Sequence, residues 1–422
     1  MTRNWLILAD DLTGAADCGI AFARRGLEAS VGWHGAEAAS ATEVLAIDAD
    51  SRRLSPEGAG ARHAALLRAR HAPGMGLIKK IDSTLRGQPA AELAATLGAL
   101  RGSGRPALAI LAPAYPATGR TTEGGRVHMN GAPLETTPLW ARDHTYESAL
   151  LTEVLASVGL SARLIPLELV RGGEIPLAHA LRSALEEGLD AVVCDAAAPG
   201  DLEALARASL PLSESVLWVG SGGIAAALAA ALPESGAVSA PTPTALRGGV
   251  LIVVGSIAEA SRAAAARLAA EDAAELIEVP VDLLRVGPTD PRWAPLADRI
   301  AGSLASGRDT LVPVTDASVA DLSGGAALAV ALAELLAPAG ARMGGLFATG
   351  GETACALLSH FGVHGIRLLE EVEPGVPLGI TQGAIEVPVM TKAGAFGNEE
   401  TILRSLERLH HLTQDLTGES AR

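Results

Sequence analysis

The sequence predicts an α/β protein of two domains, each a mainly parallel sheet flanked by helices. Three observations carry that prediction. Short apolar runs alternate with longer helical patterns along the chain, as βα units require. The apolar runs are nearly uninterrupted, as expected of parallel strands covered on both faces. Between two such βα series, the stretch 233–249 (PESGAVSAPTPTALRGG) concentrates Pro, Ser, Thr and Gly, the composition of a linker. Domains at 1–235 and 250–422, joined by a linker at 236–249, follow. A chain of 422 residues accommodates them at roughly 100–200 residues per domain.

In the first domain, strands are expected at 5–9, 29–33, 44–48, 77–81, 107–111, 191–194 and 216–219, with helices at 14–25, 56–70 and 89–100. Gly26 stands where the first helix wants a left-handed residue just past its end. In the second domain, strands are expected at 250–254, 310–314, 345–348 and 387–390, and the Ala-rich runs between them are good helix formers.

Hydrophobic residues make up 49% and aromatics only 3%, so the core must be built from Ala, Leu, Val and Ile. The net charge of −15 excludes a broad nucleic-acid surface, which needs clustered Lys and Arg. It leaves room for a small anion held by local basic residues. Cys18, Cys194 and Cys355 form no CxxC or zinc spacing and are expected as small buried hydrophobes in a reducing compartment. The first apolar run ends in two aspartates, too short and too acidic for a signal peptide. No run reaches the ~18 apolar residues of a membrane span. A soluble cytoplasmic protein without membrane or nucleic-acid partners is expected.

Several strand ends carry chemistry. Asp10 and Asp11, in ADDLTG (9–14), close the first strand, where open α/β sheets bind ligands. One of the pair is expected to cap the following helix, leaving the other free as a general base or a hydroxyl or metal holder. KKIDSTLRG (79–87) brings Lys80, Arg86 and the hydroxyls of Ser83 and Thr84 into a compact anion-binding set, with Arg86 able to clamp a carboxylate. APAYPATGRTT (112–122) reads as a rigid binding loop bearing Arg120 and Thr121. Arg126, His128 and Glu135 are weaker candidates. The turn Gly220–Ala225 matches a GxGxxA dinucleotide pattern, but the linker occupies the place of the acidic strand that should follow, so a close helix–strand turn is the expected reading.

The second domain has three Gly- or Ser-rich turns at strand ends: Gly255-Ser256; Gly350-Gly351-Glu352-Thr353; and the segment from Lys392 through Gly394 to Gly397. Backbone amides at such helix starts bind phosphates, and glycines admit their close approach. Together these turns suggest a nucleotide polyphosphate site, although no GxxxxGK[ST] is present. His360 and His364, separated by Gly362 and lacking HExxH, are not expected to hold a metal.

ADDLTG, KKIDSTLRG, APAYPATGRTT, GSIAEAS, ATGGETACALL, EVEPGVPLG and TKAGAFGN follow one another across nearly the whole chain. In these seven blocks the chain resembles the four-carbon acid sugar kinases. The resemblance implies a substrate-binding N-terminal domain, a nucleotide-binding C-terminal domain and an active site in the cleft between them. It also implies phosphorylation by ATP of the 4-hydroxyl of D-threonate, D-erythronate or 3-oxo-tetronate. The KKIDSTLRG stretch looks closer to the threonate and erythronate members, and Leu12 replaces the family's usual Phe. Carried onto this chain, Asp10, Lys80, Ser83, Arg86, Arg120 and Thr121 would bind the acid. Asp11, or second Asp82, would act as the base. Ser256, Gly350, Gly351, Glu352, Thr353, Gly394 and Gly397 would meet ATP with Mg²⁺ bridging its phosphates. An NAD-dependent dehydrogenase using Gly220–Ala225 and a non-catalytic sugar-acid sensor are the competing expectations. A homo-oligomer is left open.

Overall fold

Every expected strand forms, displaced by no more than two residues at either end. A computed structural model describes residues 4–35, 42–105, 107–142, 144–234, 248–255, 258–315, 325–392 and 396–419. The chain divides into two units, Met1–Ala29 with Ala41–Val238, and Ser30–Ser40 with Ser239–Arg422. Of the expected linker 236–249, only Gly248 and Gly249 lie within the described residues.

The first unit runs β1 (Trp5–Ala9) and α1 (Leu12–Ala23), then, past β2 (Ala29–Trp33), whose residues from Ser30 onward belong to the second unit, β3 (Val44–Asp48), α2 (Pro56–Arg70), β4 (Gly76–Lys80), α3 (Pro89–Gly102) and β5 (Leu108–Ala112). A small antiparallel sheet follows, of β6 (Arg120–Glu123), β7 (Arg126–Met129) and β8 (Ala132–Pro133). Then come β9 (Ala162–Ile165), β10 (Ala191–Cys194) and β11 (Val216–Gly220). The main sheet is parallel throughout in the order β3-β1-β4-β11-β5-β10-β9. α2 packs against α3, and α1 against the helix Gly222–Ala231. β1 therefore leads to a helix of one packed pair and its neighbour β4 to a helix of the other. The two loops diverge, opening the crevice where α/β sheets bind ligands.

Local chemistry explains these elements. Ser55 caps α2 by accepting from the Gly58 amide, with Pro56 at the first helical position. Gly26 has the expected positive φ, 81°. Three of the few aromatics pack together, with Trp5 5.0 Å from Phe22 and 5.4 Å from Trp218, ring centre to centre. Cys18 and Cys194 are buried as expected, whereas Cys355 is only half-buried.

In the second unit, β12 (Val250–Val254), β13 (Glu275–Leu276), β14 (Val279–Pro280), β15 (Thr310–Thr315) and β16 (Gly345–Thr349) precede a long hairpin, β17 (Val363–Glu373) and β18 (Val376–Gly383), and β19 (Pro388–Lys392). The order is β13-β15-β12-β16-β19-β18-β17. β13 through β19 on that path pair in parallel, and the hairpin is antiparallel. Ser30 and Val31 of β2 pair antiparallel with β17. The hairpin was not among the expected strands. Its signal is the Pro374-Gly375 turn, with Gly375 at φ 79°.

Candidate active site

The strand ends of β1, β3 and β4 bring three carboxylates and their counter-cations together. Asp11 is the cap of α1: its Oδ1 accepts from the Gly14 amide at 3.0 Å and its Oδ2 from the Thr13 hydroxyl at 2.8 Å. This moves the helix start from the expected residue 14 to Leu12. Asp10 is buried, with Arg52 Nε 2.7 Å from its Oδ2 and Lys80 Nζ 3.8 Å from its Oδ1. Asp82 is buried as well. Its Oδ1 accepts from the Thr84 amide at 2.8 Å and from the Thr84 hydroxyl, and its Oδ2 from Arg86 Nη2 at 2.5 Å and Nε at 3.1 Å.

Arg52 joins all three acids. Besides Asp10, its Nη1 lies 3.0 Å from Asp11 and its Nη2 3.4 Å from Asp82. Sequence reasoning missed this residue, because Ser51-Arg52-Arg53 follows its strand after a two-residue gap and matches no motif. Only the parallel pairing of β3 with β1 delivers it to the site.

Burial works to raise the Asp10 pKa, but Arg52 and Lys80 outweigh it and bring it to about 2. Asp82 is held well below the usual carboxylate range in the same way, by Arg86 and Arg52 against burial. Lys80 remains a cation, its pKa raised by Asp10 and Asp11 despite burial. Asp48, at the end of β3, goes the other way: burial raises its pKa well above the ordinary value, offset in part by the Asp50 amide it accepts from at 2.6 Å. Ser83 lies half-buried in the turn between Asp82 and Thr84.

Arg120 faces the same region. Burial pushes its pKa down, with Asp82 opposing and Arg86 adding to the effect. One of its amines donates to the Thr118 carbonyl, while its buried Nε has no hydrogen-bond partner. Thr121 pairs across β6–β7 with His128 and so points to the opposite strand face from Arg120. His128 Nδ1 lies 3.1 Å from the Arg126 carbonyl, and Arg126 pairs with Glu135. The weaker candidates thus form a local cluster of the small sheet. Four cations (Lys80, Arg52, Arg86, Arg120) stand against three carboxylates (Asp10, Asp11, Asp82). A substrate carboxylate would balance them.

The Gly220–Ala225 turn is tightly packed. A Cβ on Gly220 would lie 2.2 Å from the Ala112 carbonyl oxygen, on Gly223 2.4 Å from that of Ala114, and on Gly222 2.2 Å from Asp17 Oδ2. These glycines serve close backbone packing beside a carboxylate, as in the expected helix–strand turn.

In the second unit, the adjacent strands β12, β16 and β19 place their terminal turns side by side. Gly350 has φ 90° and its amide donates to the Lys392 carbonyl at 2.8 Å. Gly351 opens the helix Gly351–His360, with Glu352 in its first turn. Thr353 is buried against Gly255, where a Cβ would lie 2.4 Å from its Oγ1. Gly397 has φ 77° and is packed against Thr401 and Glu373. Glu373 accepts from Thr401 at 2.5 Å and from Arg404 Nε at 3.0 Å, so the hairpin end braces the last turn. Ser256 and Gly394 lie outside the described residues. Lys392 is a buried cation not included among the expected ligands: its Nζ donates to Ser261 Oγ at 3.1 Å and to the Phe396 carbonyl at 2.6 Å. Burial lowers its pKa to about 8, with Glu373 opposing.

A basic pocket for a small acid in one domain and stacked glycine turns in the other define a sugar-acid kinase, an enzyme that transfers a phosphoryl group to an alcohol. Residues 5–228 match the model of a sugar-binding N-terminal domain, and residues 251–402 that of a nucleotide-binding C-terminal domain. The chain belongs to the four-carbon acid sugar kinase family. It is 44% identical to the D-threonate kinase of Cupriavidus necator, over 94% of this chain and 96% of that protein. It is 34% identical to the D-threonate kinase of Bordetella bronchiseptica, over 96% of each. To the D-erythronate kinase of Heliobacterium modesticaldum it is 30% identical, over 96% of this chain and 97% of that protein. A solved Salmonella typhimurium structure, described as a putative tRNA synthase, superposes with a TM-score of 0.78 at 20% identity, covering 95% of this chain and 98% of its own; it shows the shared fold. Among the described residues, no helix is long and apolar enough to cross a membrane.

Proposed function

We propose that this protein is an ATP-dependent D-threonate kinase that phosphorylates the 4-hydroxyl of its substrate. The observation that carries the choice of acid is the 44% identity, over nearly the full length, to a D-threonate kinase. The uncompensated positive charge of the Lys80, Arg52, Arg86 and Arg120 set supports an acid as ligand.

Arg86, with Lys80 or Arg120, holds the carboxylate, and Asp10 and Ser83 contribute to binding the acid; Thr121, on the opposite strand face from Arg120, is left out of the acid site. Asp11 orients the reacting hydroxyl and accepts its proton. Of the three carboxylates, its side chain is the most exposed, at 20% against 9% for Asp82 and 2% for Asp10. Asp82, more deeply buried and paired with two arginines where Asp11 has one, is the second choice. Phosphates rest on the amides of Gly351, Thr353 and Gly397, together with Ser256 and Gly394, while Gly350, its amide held by the Lys392 carbonyl, shapes the turn. Mg²⁺ takes most of its ligands from phosphate and water and needs only one or two protein oxygens. Glu352, and the buried Thr349 hydroxyl with no hydrogen-bond partner, fit that requirement. When bound, the ion neutralises charge on the β- and γ-phosphates.

The test is ADP release from Mg·ATP with D-threonate, D-erythronate and 3-oxo-tetronate, the product being located by ³¹P NMR. D-threonate is expected to lead by about tenfold or more in kcat/KM. A preference for another acid overturns the substrate. Acid binding without ADP release favours the sensor.

A further inference from the structure

Beneath the basic pocket lies a second set of polar side chains that the proposed chemistry does not use. Lys79 and Lys80 are consecutive on β4 and point to opposite faces of the sheet. Lys80 faces Gly14 of α1, whereas Lys79 runs under α2 and α3. There it meets Glu92 of α3, His63 of α2 and Ser51 of the loop after β3, all of them at most 1% exposed.

The connections run in one chain. Ser51 Oγ donates to Glu92 Oε1 at 2.6 Å. Lys79 Nζ lies 2.6 Å from Glu92 Oε2, off the hydrogen-bonding direction, and donates to the Lys80 carbonyl at 2.9 Å. Having given its proton to Glu92, the Ser51 hydroxyl accepts from His63 Nε2 at 3.0 Å. That assigns the proton to Nε2 and leaves a bare lone pair on Nδ1, which has no hydrogen-bond partner. Burial, and next Lys79, keep His63 well below its usual pKa and therefore neutral.

An enclosed ion pair contributes little net stability compared with apolar packing. This one does something apolar side chains cannot. At one end it holds Ser51, whose neighbour is Arg52; at the other it holds the carbonyl of Lys80. Both ends of the chain are thus one residue from a cation of the pocket above. We propose that Ser51, His63, Lys79 and Glu92 are positioning residues that set the separation of Arg52 and Lys80 and thereby the fit of the substrate acid. The inference rests on the reading of that pocket as the acid site.

The test uses the full-length chain with Ser51→Ala and, separately, Glu92→Gln. KM for the acid, KM for ATP and kcat are measured at 25 °C, alongside thermal melts. The acid KM is expected to rise about tenfold in each variant, as sub-ångström displacement of binding groups can produce, while the ATP KM stays within about twofold. A lowered Tm with an unmoved acid KM would mean a purely structural network and overturns the inference. Ser51→Ala removes a single oxygen, so it carries the test even where Glu92→Gln fails to fold. A parent protein inactive on every acid overturns the proposed function and this inference together. An active parent with unmoved variants overturns this inference alone.

Discussion

Gly14 and Lys80 are in such close contact that a Cβ on the glycine would lie 2.4 Å from the lysine Nζ and 2.5 Å from Asp11 Oδ1. Helix propensity by itself favours Ala over Gly here by about 1 kcal/mol. The side chains to be displaced are a buried cation of the proposed acid pocket and the cap of α1, so function is expected to suffer and the gain in propensity is offset. Gly14→Ala should raise the acid KM by about tenfold and leave the Tm near that of the parent. An unchanged acid KM would show that Lys80 can move without consequence for binding.

Asp11 combines the helix cap with the proposed proton acceptor, and Asn preserves the first role. Asn is as good a cap as Asp, so Asp11→Asn should fold normally. Losing the base should lower kcat by about 10²–10⁴ with the ATP KM unchanged. Steady-state ADP release decides it, and a full-rate variant transfers the role to Asp82.

Arg52 is ion-paired with Asp10, Asp11 and Asp82 alike. Arg52→Met leaves buried Asp10 with only the more distant Lys80 and should destabilise the first domain by about 3–5 kcal/mol near pH 7. The sign of the pH dependence follows from the lowered Asp10 pKa. The stabilisation is fully present above the unfolded value of about 3.9 and is lost as pH falls through about 2. The gap between parent and variant in urea unfolding should therefore narrow from pH 7 to pH 3. A gap that is constant over that range would mean that Arg52 acts by packing.

Lys392 titrates in the opposite sense from a surface lysine ion pair. Its folded pKa of about 8 lies below the unfolded value. Between pH 8 and the unfolded value near ~10.4, the unfolded chain holds the extra proton, so stability from this group rises with pH. Lys392→Met should abolish that rise in urea unfolding followed from pH 7.5 to 10. Because Lys392 ties Ser261 to the Phe396 carbonyl, its loss should also raise the ATP KM by about tenfold and leave the acid KM alone. A variant with parental ATP KM would confine Lys392 to stability.

Much of the site could be read from the chain because its parts are local. Asp10, Asp11, Asp82 and Arg86 lie in short segments that leave apolar runs, and a βα unit sends such segments to one edge of the sheet. The glycine turns of the second domain were legible for the same reason. The hairpin β17–β18 was not, because β17, charged and largely half-buried, lacks the continuous apolar run that marks a parallel strand.

The sequence by itself determined the βα alternation, the two-domain division and the segments that bear the chemistry, since these depend on composition and spacing within a few residues. Tertiary structure alone decided which charges meet. Arg52 reaches Asp10, 42 residues earlier, because β3 pairs with β1. Lys79 and Lys80 part company because consecutive strand residues face opposite ways. The glycines of 220–223 serve close packing because β11 lies against β5. Coulomb energy and steric overlap depend on separations of a few ångströms, and those separations are set by strand register across the sheet rather than by distance along the chain.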